Sequence, residues 1–217
     1  SFVKTFNQYT REKITVVLAT SLIEKVFTKN FFIVKEESKL SLFKESDAKI
    51  PYYVVNSFKG FEFENLRYER IWDEAPLPID NPENAFRLIL GDFVTTDEGT
   101  GIVHTAPTFG ADDYKAAKSA KPEVPPLLVP DKNGNKVPLV DLKGKFIDDI
   151  GMISGKYVKN EYYEEDNMPE KSIDVEIAIK LKEKNLAFRV EKYSHSYPHC
   201  WRTDKPILYY PLDSWFI

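Results

Sequence analysis

The sequence predicts a β-rich α+β fold: a β-barrel core with a few peripheral helices. Three observations point there. Aromatic residues abound, with 15 Phe, 12 Tyr and 3 Trp in 217 residues, and alongside many Val and Ile they favour strands over helices. The apolar runs are short, numerous and separated by Pro, Gly, Asn and Asp. Helical periodicity, by contrast, is confined to one or two stretches.

Residues 14–18 and 30–34 are β-rich runs, with the ambiguous residues 21–27 between them. Residues 35–49 are charged and read as helix or loop. Residues 52–55 read as a strand, and Phe61-Glu62-Phe63-Glu64 alternates with the period of a half-buried one. Pro76, Pro78 and Pro82 mark an irregular connection, after which residues 85–90 are again strand-like. Phe93-Val94 and Ile102-Val103 read as strands joined by the turn Asp97-Glu98-Gly99-Thr100-Gly101. An alanine-rich helix is expected over residues 111–120, ended by Pro122, Pro125 and Pro126. Residues 127–129 and 137–140 flank Asn133-Gly134, a strong hairpin signal. The clearest helix spans residues 172–184, where Ile173, Ile177 and Leu181 share one face opposite Lys and Glu. Residues 186–193 then alternate as a strand. Together these elements predict one compact unit over residues 1–217.

Bulk properties narrow the function classes. A hydrophobic fraction of 42% and a charged fraction of 29% are those of an ordinary globular protein. The net charge of −4 argues against gripping nucleic acid through the whole surface. Local basic strips (Lys180, Lys182 and Lys184; Arg189 and Lys192) remain able to touch a phosphate backbone, although a solvated helix face explains them better. The single cysteine, Cys200, excludes an internal disulfide framework and fits a reducing compartment. No apolar run approaches the roughly 20 residues that cross a bilayer, so a cytoplasmic location is expected, with no membrane partner. The first and last residues both lie inside apolar patterns, so a piece of a longer protein is expected, with Ser1 as a cloning remnant.

Chemistry concentrates in residues 91–114, GDFVTTDEGTGIVHTAPTFGADDY. Glycines, threonines, a histidine and a paired aspartate sit between apolar runs, a mixture suited to a pocket and useless in a core. Asp112 and Asp113 fall in a helix's first turn, where carboxylates complement the dipole and cap free amides. For Asp113 the surrounding loop shifts the balance toward receiving a ligand ammonium, a charge-assisted contact of roughly 1.5–3 kcal/mol. His104, at a strand end beside Thr105 and before Pro107, reads either as a structural histidine or as a functional one.

Other chemistries fare worse. His195, His199 and Cys200 lie close in sequence but lack the second ligand pair of a structural zinc site. His104, Asp112 and Asp113 have the right ligand types but no second histidine. Thus no metal site is expected. There is no Gly-x-Ser-x-Gly elbow, and no glycine-rich phosphate loop followed by Lys-Ser or Lys-Thr.

Gly99-Thr-Gly-Ile-Val-His-Thr-Ala-Pro107, followed by Gly110 and Asp112-Asp-Tyr114, resembles the signature of the editing domain of isoleucyl-tRNA synthetases. That domain is the connective peptide 1 insertion of the class I catalytic fold. His195-Ser-Tyr-Pro-His-Cys-Trp-Arg202, with Pro206 and Ser214-Trp-Phe216, resembles the segment by which the insertion returns to the catalytic body, here about residues 194–217. The resemblance extends over essentially the whole chain.

It implies water-mediated hydrolysis of the ester in Val-tRNA(Ile). One methylene is worth only about 1–3 kcal/mol in an apolar pocket, and the isoleucine–valine pair is the standard illustration of that limit. A second, smaller pocket can then destroy the wrong product. The resemblance assigns Asp113 to the α-ammonium and His104 to exclusion of the isoleucyl group. It places Thr100, Gly101, Thr105, Ala106, Pro107, Gly110 and Asp112 around the substrate. The implied partners are the valine-bearing acceptor end of tRNA(Ile) and the catalytic domain of the same polypeptide. It implies no cofactor in this domain; ATP and Mg belong to the parent's catalytic domain, and zinc, if any, elsewhere in the parent. The threonine-rich peptide that forms the other pocket wall in the family has no counterpart here, so the fragment alone is expected to hydrolyse poorly or not at all. The alternatives are a valyl-type domain acting on Thr-tRNA and a non-catalytic module that binds the tRNA acceptor end.

Overall fold

In a computed structural model of the chain, residues 1–192, 194 and 196–212 are described. Among them the protein is α+β, with mixed sheets and few helices. The chain's internal contacts group into two compact units. The first comprises Ser1–Glu64, Leu90–His104 and Ile179–Glu191, and the second Asn65–Ile89, Thr105–Ala178 and Lys192–Ile217.

The first unit is built on a four-stranded sheet. Strands β1 (Phe2–Phe6) and β2 (Lys13–Val17) form an antiparallel hairpin. β1 also pairs antiparallel with β4 (Ile50–Asn56), and β3 (Phe31–Ile33) pairs parallel with β4. The spatial order is β2-β1-β4-β3, so the sheet is open, with β2 and β3 as its edges. A closed barrel is not shown among the described residues. Three of the four strands answer to the β-rich runs in the sequence. Residues 21–27, left ambiguous by propensity, form a 3-10 turn followed by the short helix α1 (Ile23–Val26). Its Ile23 and Val26 bury against Val3, Leu18, Leu22, Phe27 and Tyr52 to make the main core of this unit. Phe27 stacks on Tyr52 with ring centroids 4.5 Å apart, the packing that aromatic-rich strands supply.

The second unit holds the helix α2 (Ala111–Ser119) and the hairpin β5 (Leu128–Pro130) and β6 (Lys136–Pro138), turned at Gly134 with φ +82°. Asp131 organises that turn, its Oδ1 accepting the Asn133 and Asn135 amides at 2.8 Å. The long helix α3 (Ile173–Glu183) crosses the division between Ala178 and Ile179. Ile173 and Ile177, from its predicted apolar face, pack with Ala75, Ile150 and Ile153 into the core of the second unit.

Four predicted strands are not strands among the described residues. Residues 61–64 lie in a 3-10 turn over Gly60–Phe63, closed by Glu62 Oε1 accepting the Lys59 amide at 2.6 Å. Phe93-Val94 and Ile102-Val103 form no ladder. The Thr100 hydroxyl donates to the Ile102 carbonyl at 3.0 Å, a local bond that competes with sheet pairing. Residues 186–192 are also irregular, because side chains take the backbone groups that a strand would use. Asn7 Nδ2 donates to Ala187 O (2.9 Å), Gln8 Nε2 to Phe188 O (2.7 Å), and the Val190 amide to Tyr9 Oη (3.0 Å). Tyr193, the end of that predicted strand, lies outside the described residues. The strand expected over residues 85–90 is reduced to one antiparallel bridge, Arg67 to Arg87.

Candidate functional site

The glycine- and threonine-rich stretch divides between His104 and Thr105, one half in each compact unit. Each half has its own support.

In the first unit the bend over residues 97–101 forms as its glycines predict. Gly99 and Gly101 adopt φ of +71° and +76°, a region that side chains disfavour. The Ala19 amide donates to the Thr100 carbonyl at 2.8 Å, and the Lys25 ammonium caps the Asp97 carbonyl at 2.7 Å. A Cβ on Gly101 would sit 2.6 Å from the Ala19 Cβ. Gly101 is therefore glycine on two counts, backbone conformation and close approach. Beyond it Ile102, Val103 and His104 are exposed, and the His104 imidazole makes no hydrogen bond or ion pair among the described residues.

In the second unit residues 105–110 form a strap tied by side chains. Pro107 leads into a tight turn in which the Phe109 amide donates to Ala106 O at 3.0 Å. Thr108 is buried, and its hydroxyl accepts the Leu127 amide at 2.8 Å. Gly110 is the N-cap of α2, with no side chain to bond the free amides of the first turn. Asp113, in that turn, reaches back instead, and its Oδ2 accepts the Ala106 amide at 2.9 Å. Its Oδ1 has no hydrogen-bond partner among the described residues. Asp112 is exposed and pairs with Lys115 at 3.1 Å, a contact worth at most about 1 kcal/mol at the surface. The two carboxylates are thus distinct: Asp112 is a solvated helix residue, and Asp113 is an oriented one.

Two residues that support these halves lay outside the sequence-based set. Thr108 carried a signal, a hydroxyl between Pro107 and Gly110 in a loop that must anchor somewhere. Ala19 carried none, since a small residue distant in sequence says nothing of what packs on it.

In the second unit His199 bridges antiparallel to Pro206 across a turn at residues 201–203. The Cys200 amide donates to Lys205 O and the Asp204 amide to Cys200 O, both at 2.8 Å. His199 Nδ1 donates to Tyr197 O at 2.9 Å. The Thr203 side chain first, and then the Arg202 and Thr203 amides, hold the Cys200 thiol below its ordinary pKa. His195 and Ser214-Trp-Phe216 lie outside the described residues. Among the described residues no three of His, Cys, Asp and Glu are grouped to hold a metal ion, and no helix is long and apolar enough to cross a membrane.

No protein-family model matches the chain. Individual relatives do. The chain is 46% identical to the isoleucine–tRNA ligase of Cytophaga hutchinsonii and 47% identical to that of Porphyromonas gingivalis, with 99% of the chain aligned in both. It is 42% identical to the Clostridium tetani enzyme over 76% of the chain. The aligned segments make up 19%, 20% and 13% of those relatives, so the chain spans about a fifth or less of their length. By sequence it belongs with the isoleucine–tRNA ligases, as the counterpart of one segment of them.

Proposed function

We propose that this chain is the proofreading segment of an isoleucyl-tRNA synthetase, hydrolysing Val-tRNA(Ile) after transfer. The observation that carries the reading is the Asp113 carboxylate. One oxygen is fixed by the Ala106 amide, and the other is left to receive a cation such as the α-ammonium of an esterified amino acid. The high identity to isoleucine–tRNA ligases supports it. In this reading His104 limits the side chain admitted, and Thr100, Gly101, Thr105, Ala106 and Pro107 shape its surroundings. Water is the nucleophile, so no activated serine or cysteine is required. The closed barrel and the single editing domain expected of this family belong to the same proposal. So do the tRNA partner, the cytoplasmic location and the return of residues 194–217 to a catalytic body.

The test is deacylation of Val-tRNA(Ile) by a synthetase that contains this segment. Asp113→Ala should lower kcat/KM about tenfold to a hundredfold, the kinetic equivalent of one charge-assisted bond, with tRNA affinity retained. His104→Ala should admit Ile-tRNA(Ile) as a substrate. Unchanged hydrolysis of both esters in both variants would refute the assignment. Preferential release of threonine would move the segment to the valyl-type class. Loss of tRNA affinity without any hydrolysis to lose would leave a binding module.

A further inference from the structure

Asp112 and Asp113 are neighbours in sequence, yet only Asp113 folds back over the strap, and it does so over residue 110. A Cβ on Gly110 would lie 2.7 Å from Asp113 Oδ2, 3.0 Å from its Cγ and 3.2 Å from its Cβ, well inside the roughly 3.5–4.0 Å of a comfortable non-bonded contact. Backbone freedom does not explain the glycine, because its φ of −139° and ψ of 129° suit any residue. The close approach of the carboxylate does. Ala106 is also held from its other side, its carbonyl accepting the Phe109 amide, so it meets Asp113 as a fixed donor.

We infer that Gly110 is a positioning residue for Asp113. Its missing side chain is the space the carboxylate occupies, which lets Oδ2 close on the Ala106 amide and turns Oδ1 away from that bond as a pre-oriented acceptor. A carboxylate already locked by one oxygen loses little rotamer freedom when the other binds a cation. A methyl group at residue 110 would force Asp113 into another rotamer and break the lock. The inference rests on the proofreading reading for the identity of the cation, but not for the geometry.

The geometry is tested on the 217-residue chain by hydrogen exchange of the Ala106 amide, read by NMR. In the unaltered chain that amide should exchange slowly, because Asp113 Oδ2 accepts its proton. Asp113→Ala removes the acceptor and should speed the exchange about tenfold. Gly110→Ala should speed it by a similar factor, while amides outside residues 105–113 keep their exchange rates and dispersion. An Ala106 amide equally protected in the unaltered chain and in Gly110→Ala overturns the inference, as does protection that survives Asp113→Ala.

In the longer synthetase Gly110→Ala should raise KM for Val-tRNA(Ile) about tenfold, with a smaller change in kcat. It should add nothing once Asp113→Ala is present, because residues acting through one group are non-additive. Additive losses would assign Gly110 a purely structural role and overturn the positioning. If Asp113→Ala leaves hydrolysis intact while the Ala106 amide exchange behaves as expected, the proofreading reading falls and the positioning stands.

Discussion

The residues on either side of the His104–Thr105 peptide belong to different compact units and are held by different means. Before it, the bend over residues 97–101 is set by the backbone: two glycines with positive φ, and a main-chain bond from Ala19 to Thr100. It then releases Ile102, Val103 and His104 to solvent, with Val103 at 54% exposure. After it, the strap is set by side chains. Thr108 takes the Leu127 amide and Asp113 takes the Ala106 amide. The first half is shaped by glycines at residues 99 and 101, and the second by side-chain bonds from residues 108 and 113, the latter given room by Gly110. Under the proposed function, the carboxylate that receives a cation is the one held by bonds, and the imidazole that limits the side chain is carried on a bend.

Three substitutions test that contrast through stability, read as the urea midpoint. Gly101→Ala should have the largest effect, about 2–3 kcal/mol, because it combines a disfavoured φ with overlap on Ala19. Gly99→Ala is its control, with a similar φ but open space around the Cβ position, and should cost only about 1 kcal/mol. Equal costs at the two positions would show that close approach to Ala19 contributes nothing.

Thr108→Val should follow at about 1–2 kcal/mol, the cost of a buried amide left without its acceptor. Thr108→Ser, which keeps the hydroxyl, should recover most of it. A valine variant as stable as the threonine would mean that the strap is not tied at Leu127.

His104→Ala should be smallest, within about 0.5 kcal/mol, as for an exposed residue away from structural features. A larger loss would place His104 among the structural histidines and break the comparison.

Much of this was legible in the sequence, because local rules and tertiary structure agreed. The hairpin at Asn133-Gly134, the strands near residues 14, 31 and 52, and helices α2 and α3 all follow from periodicity and turn chemistry. Residues 61–64, 102–103 and 186–192 depart from the strands their sequence predicts for a shared reason. Alternating or β-branched residues mark a possible strand, but a strand exists only where backbone groups find a partner strand. Glu62, Thr100, Asn7, Gln8 and Tyr9 supplied side-chain partners instead, and no pattern of hydrophobicity records that choice.

The candidate site divides in the same way. From residue types alone, the stretch from Gly91 to Tyr114 reads as the candidate site, and the two aspartates fall in the first turn of a helix, as they do in α2. Adjacent in sequence and alike in chemistry, Asp112 and Asp113 were separable only by what surrounds them. Folding turned Asp112 to solvent and Lys115, and Asp113 onto Ala106 over the bare face of Gly110. The sequence determined which groups are available, since composition and local periodicity are properties of the chain. Which carboxylate oxygen is fixed by the Ala106 amide was decided by the tertiary structure, because close approach and hydrogen-bond pairing exist only once the loop has folded onto its helix.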